Sequence, residues 1–71
     1  MNFKDIRGYF SRTDLISVCM RENLCYENYS TIDDAPAVFD EKYLCGIGIV
    51  ESEFDCTLKS CIEIMLSDCT D

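Results

Sequence analysis

Two stretches, Cys45-Gly46-Ile47-Gly48-Ile49-Val50-Glu51 and Ser60-Cys61-Ile62-Glu63-Ile64-Met65-Leu66, decide the fold. Each alternates with a period of two, the spacing that sends successive side chains to opposite faces of a β-strand. Paired antiparallel, they put Ile47 and Ile49 on one face with Ile62, Ile64 and Leu66, and such a face needs a cover. Gly46 and Gly48 sit within the first of these strands. They match only a fragment of a dinucleotide fingerprint, which must open a helix, so they read as places where another side chain or backbone approaches the sheet.

Working outward, Leu15-Ile16-Ser17-Val18-Cys19-Met20 and Leu24-Cys25-Tyr26-Glu27-Asn28-Tyr29 read as two further strands around the polar connection Arg21-Glu22-Asn23. Ahead of them, Asn2 is placed to cap a helix with Asp5 three residues on. Phe3, Ile6, Tyr9 and Phe10 then follow at helical spacing, so residues 2–10 are expected to form a short amphipathic helix. Asp33-Asp34-Ala35-Pro36 supplies a cap and a proline for the first helical position, which predicts a second helix over about residues 36–44 with Val38, Phe39 and Tyr43 on its apolar stripe and Leu44 as a further candidate. The expected architecture is a small single α+β domain over residues 1–71: a four-stranded antiparallel sheet with two short helices on one face, in the order helix-strand-strand-helix-strand-strand.

A 71-residue chain buries too little surface for a large core, and domains of this size commonly rely on a disulfide, a metal or a partner. The six cysteines are the available staples. The first residues lack the basic start and apolar run of a secretory signal, and the sequence holds no membrane span. A cytoplasmic location is therefore expected, where cysteines serve as thiols or metal ligands more often than as disulfides.

Cys19 and Cys45 stand among apolar neighbours and read as small core residues. Cys56, Cys61 and Cys69 have polar neighbours, and with Cys25 beside the first turn they form a candidate four-thiolate zinc site, Cys19 being the reserve ligand. None of the spacings is a CxxC knuckle, so free thiols and disulfides stay open as alternatives.

The net charge of −8 is unevenly distributed. Residues up to Arg21 sum to +2, and those from Glu22 onward to −10. Such a surface is a poor ligand for nucleic acid, whose phosphates reward clustered lysine and arginine. It complements a basic protein surface instead. Glu51, Glu53 and Asp55, with Asp33, Asp34, Asp40 and Glu41, are the candidate contacts. The glutamates and aspartate at 51, 53 and 55 place a carboxylate at every second residue, yet the glycine and the closing glutamate of a calcium loop are missing. The chain has no histidine, the commonest general base, which argues against catalysis.

With its acidic surface, small α+β core and polar cysteine set, the whole chain resembles the phage-encoded anti-CRISPR proteins, and among them the zinc-containing inhibitors of type II-A Cas9. The resemblance is one of type, without a diagnostic motif. It implies a non-catalytic protein with structural zinc that binds Cas9 in a bacterial cytoplasm and blocks guide or target-DNA loading, the positively charged heteroduplex channel suiting an acidic ligand. Two other classes remain open. One is a mobile-element accessory protein that forms homodimers through exposed aromatics such as Tyr26 and Tyr29. The other is a redox or metal-handling protein in which Cys56 and Cys61 react.

Overall fold

The computed structural model describes residues 1–11, 13–22 and 25–68, with Cys25 described by its backbone alone. The chain begins with one α-helical turn, α1 (Phe3–Ile6), extended by a 3-10 turn over Arg7–Tyr9. The Asn2 N–H donates to Asp5 Oδ2 at 2.9 Å and the Asp5 N–H returns to the Asn2 carbonyl at 3.0 Å, so the expected start is in place. Strands β1 (Ile16–Met20) and β2 (Cys25–Tyr29) follow, then 3-10 turns over Ile32–Asp34 and Ala37–Phe39, then the long strands β3 (Tyr43–Phe54) and β4 (Thr57–Ser67).

The strands form one sheet in the order β2-β1-β4-β3. Both hairpins are antiparallel as the alternation predicts, with Ile47 opposite Ile64 and Ile49 opposite Ile62. The central pair departs from the all-antiparallel expectation: β1 and β4 run parallel, with Ile16 beside Ile62 and Val18 beside Ile64. The sheet is therefore mixed. Its physical origin is the segment 30–42. Because β2 and β3 run in the same direction, the chain must travel back along the sheet between them, and parallel strands require such a crossover.

That crossover also corrects the second helix. Residues 36–44 do not form one: Ala37–Phe39 is a single 3-10 turn and Tyr43 already begins β3. Asp40 N–H bonds the Ala37 carbonyl and Lys42 N–H the Phe39 carbonyl, tight turns that let the segment span the sheet without winding. Among the described residues the mixed sheet is thus accompanied by one short helix and isolated 3-10 turns, in place of two helices.

The core lies between one face of the sheet and this covering layer. Phe3, Ile6, Ile32 and Ala35 from the cover pack on Ile16, Val18, Ile64 and Leu66 from the sheet. Phe39 meets Phe3 and Tyr29 edge-to-face, with ring centroids 6.0 and 6.3 Å apart. Arg7 fastens the two covering segments together. Its Nε donates to Asp40 Oδ1 at 2.6 Å, its other nitrogens donate to the carbonyls of Ile32, Ala35 and Pro36 at 2.8–3.0 Å, and its guanidinium lies 4.6 Å from the centre of the Phe3 ring.

The sheet also curls. In a flat sheet β2 and β3, its two edges, would stand about 14 Å apart, three inter-strand spacings. Here Asn28 Nδ2 on β2 donates to Ser52 Oγ on β3 at 2.7 Å and to the Glu53 carbonyl at 3.3 Å. The face turned away from the covering layer is consequently concave.

Candidate functional site

Two surfaces stand out, one on each side of the β3–β4 hairpin. On the covered side, the layer of α1 and the crossover ends before it reaches β3. Ile47 and Ile49 point to the core face, as the alternation predicts, but are 54% and 72% exposed, and Leu58 on β4 is 64% exposed. Glu51 and Glu53 continue the same row along β3, Glu53 standing directly opposite Leu58. A depression of about 240 Å³ opens between Leu15, Ile49 and Ile62 at its margin. The result is an apolar strip beside a run of carboxylates.

β3 is an edge strand, and its free edge is only partly occupied. Leu44 N–H donates to the Met1 carbonyl at 2.8 Å at one end, and Asn28 takes the Glu53 carbonyl at the other. By the alternation of an antiparallel ladder, the main-chain groups of Ile47, Ile49 and Glu51 face outward like those of Glu53. An open, apolar stretch of strand edge is a ready surface for another chain.

The seven candidate acidic contacts separate into three groups. Glu51, Glu53 and Asp55 lie together on the hairpin, and among the described residues they make no ion pair. Asp40 and Glu41 are drawn to the N-terminal segment, where Asp40 pairs with Arg7 and Glu41 Oε1 with Lys4 Nζ at 3.3 Å. Asp33 and Asp34 belong to the 3-10 turn after β2, where the Thr31 hydroxyl oxygen accepts the Asp34 N–H at 3.3 Å. The acidic sequence therefore does not fold into one continuous face.

Of the candidate zinc ligands, Cys69 lies outside the described residues, as does the Cys25 side chain. Cys56 is exposed at the tip of the hairpin, whereas Cys61 is buried inside β4. Five residues of extended chain separate them, about 16 Å, while two sulfurs on one zinc sit within about 4 Å. Those two cysteines do not fit around a single ion, and no cluster of three or more metal-binding side chains occurs among the described residues. Burial, together with the Glu63 carboxylate, raises the Cys61 pKa and disfavours the thiolate that a metal needs. Cys19 is buried as expected. Cys45 is exposed instead, because it is the extra residue where the β3–β4 register shifts between Leu44 and Gly46.

The concave side holds the second surface. A row of neighbours crosses all four strands there: Asn28 beside Ser17, Ser17 beside Glu63, and Glu63 beside Gly48. A cleft of about 360 Å³ is lined by Ser17, Tyr26, Val50, Glu51, Ser52 and Glu63. The Tyr26 hydroxyl hydrogen-bonds Glu63, and that bond, with the carboxylate's charge, pushes the Tyr26 pKa above the usual tyrosine value. Ser17 is only 1% exposed, and its Oγ has no hydrogen-bond partner among the described residues. A buried hydroxyl left unpaired costs about 1–3 kcal/mol. Gly48 leaves the end of the row open, since a Cβ there would stand 4.0 Å from Glu63 Oε1.

Sequence reasoning missed Ser17, Ser52 and Glu63 and read Tyr26 only as an exposed aromatic, not as part of a cleft. Two signals pointed toward them: the alternating glycines of β3, and a lone serine inside the apolar run of β1. No helix among the described residues is long and apolar enough to cross a membrane. No family model, curated protein or solved structure matches the chain, so the functional reading rests on these two surfaces.

Proposed function

We propose that this protein is a non-catalytic binder that lays the outer face of its β3–β4 hairpin in a basic groove of a nucleic-acid-handling protein in the bacterial cytoplasm. A Cas9-type nuclease is the partner that the anti-CRISPR resemblance singles out. The observation that carries the reading is the exposed strip of Ile47, Ile49 and Leu58 bordered by the carboxylates Glu51 and Glu53, which make no ion pair among the described residues. An apolar centre with a charged rim is the usual anatomy of a protein interface. Binding there denies the groove to guide or target nucleic acid, whose charge the hairpin shares.

The test is co-purification with a type II-A Cas9, followed by affinity measurements across ionic strength. Affinity is expected to fall steeply between about 50 and 200 mM salt, as opposed surface charges are screened. The double variant Glu51→Lys/Glu53→Lys is expected to weaken binding further while leaving the fold intact. Absence of binding at low salt overturns the Cas9 assignment.

The open edge of β3 supports a second reading, a homodimer in which two such strands pair about Ile49. Salt separates the two, since added salt relieves repulsion between two chains of charge −8 and tightens a dimer, whereas it loosens a complex with a basic groove. Light scattering at several salt concentrations gives the answer.

A further inference from the structure

The concave cleft is built for a cation with several hydrogen-bond donors. Its polar groups are the Glu63 carboxylate, the Ser17 and Ser52 hydroxyls and the Tyr26 phenol, and no lysine or arginine lines it among the described residues. Glu51 is also in the wall, but strand alternation turns its side chain away from that of Val50 and Ser52, so Glu63 supplies the carboxylate inside. A single carboxylate among hydroxyls is a thin shell for a calcium or magnesium ion, which takes six or more oxygens. It suits an organic cation better.

We propose that this cleft is a guanidinium site filled by an arginine side chain of the basic partner. The inference rests on the functional reading above for the source of that arginine. A guanidinium offers five N–H donors in a planar fork and accepts nothing. Glu63 is directly beside Ser17 across the β1–β4 pair, so one edge of the fork meets the carboxylate while the adjacent N–H reaches the buried Ser17 oxygen. That hydroxyl, which has no partner among the described residues, then gains one. Tyr26 and Val50 also line the cleft and offer an aromatic ring and an apolar wall for the stem. Entry is from the β3 side, where Gly46 and Gly48 leave no side chain in the way. The net charge of −8 concentrates cations around the whole molecule and raises their encounter rate with the cleft.

The probe is arginine capped at both ends, titrated into the intact protein and followed by amide chemical shifts. Saturable shifts centred on Ser17, Tyr26, Gly48 and Glu63 are expected. Capped citrulline, neutral and nearly the same shape, is expected not to produce them. Glu63→Gln and Ser17→Ala are each expected to weaken capped-arginine binding by about tenfold, the loss of one charged hydrogen bond. Ser17→Ala removes an unpartnered buried hydroxyl, so the variant folds at least as well as the parent and its loss of binding is not unfolding.

The inference is overturned if no saturable shifts occur, if citrulline matches arginine, or if the shifts gather on Glu53 and Asp55 and ignore both substitutions. The functional reading fails separately. If Cas9 does not bind while capped arginine still occupies the cleft, the guanidinium site stands and the nuclease is removed as its source. If Cas9 binds the parent, Ser17→Ala and Glu63→Gln equally well, the hairpin reading stands and the cleft is removed.

Discussion

Arg7 donates through Nε to Asp40 Oδ1 at 2.6 Å, joining the N-terminal turn to the far end of the crossover segment. The same guanidinium satisfies three carbonyls of that segment, Ile32, Ala35 and Pro36, which have no strand neighbour of their own. Lysine carries the charge but cannot reproduce the fork. Arg7→Lys is expected to cost about 2 kcal/mol, the scale of hydrogen bonds to a charged group, read as a lower urea midpoint at unchanged slope. A loss as small as that of a surface lysine would show that the cover is held by its apolar contacts alone.

Asp55 and Cys56 form the two-residue turn of the β3–β4 hairpin, with φ angles of 52° and 63°. Positive φ at both central positions is the turn whose twist matches the flanking strands, and its preferred second residue is glycine. Cys56 bears a Cβ where it is penalised. Cys56→Gly is expected to raise stability by about 1 kcal/mol, an increase of about 4–8 °C in Tm for a domain of this size. Cys56→Val, β-branched at the same site, is expected to lower it.

Facing isoleucines on one sheet should differ sharply in cost. Ile64 is fully buried beneath the covering layer, whereas Ile47, directly opposite on β3, and Ile49 further along lie beyond its reach. Ile64→Ala is expected to destabilise by about 2–5 kcal/mol. Ile49→Ser is expected to change stability by no more than about 0.5 kcal/mol while weakening partner binding. Equal costs would mean that β3 is covered after all.

Tyr26 titrates above an ordinary tyrosine because Glu63 accepts its proton in a hydrogen bond and opposes the phenolate charge. The folded-state pKa is raised, so the contribution to stability is complete below the unfolded value near 10 and is lost as pH climbs through the folded value. Ring-carbon NMR should show Tyr26 ionising later than free tyrosine, and Glu63→Gln should bring it back toward that value. An unshifted Tyr26 in the parent would place Glu63 elsewhere.

The strands were legible because alternation is local. Ile47, Ile49, Ile62 and Ile64 announce both the strands and their shared face, and Asn2 with Asp5 announces the first turn. The direction of β1 relative to β4 was not legible, since it depends on how residues 30–42 cross the sheet, and that path is set by contacts such as Arg7 with Asp40. The expected helix over 36–44 failed for the same reason: capping signals were present, but the segment had to cover distance, and Val38 is left in solvent. The hairpin acids were readable one by one as Glu51, Glu53 and Asp55. That Asp40 and Glu41 would be absorbed by Arg7 and Lys4 was not, because those partners lie more than thirty residues away in the chain. The cleft escaped notice because Ser17, Tyr26 and Glu63 meet only when three strands are in register.

The parallel pairing of β1 with β4 also sets the order in which the molecule can assemble. Ile16 and Ile62 are neighbours in the centre of the sheet, yet forty-six residues separate them. Each hairpin can close on its own in microseconds, but neither buries enough to persist alone. The strand that joins them, β4, comes last of the four in the chain, so the sheet stays incomplete until β4 has been made and is free to pair. Folding should therefore be slow for so small a domain, limited by a long loop closure, and truncation ahead of Ile62 should leave the β1–β2 hairpin and only the tip of the β3–β4 hairpin, with no intermediate fold.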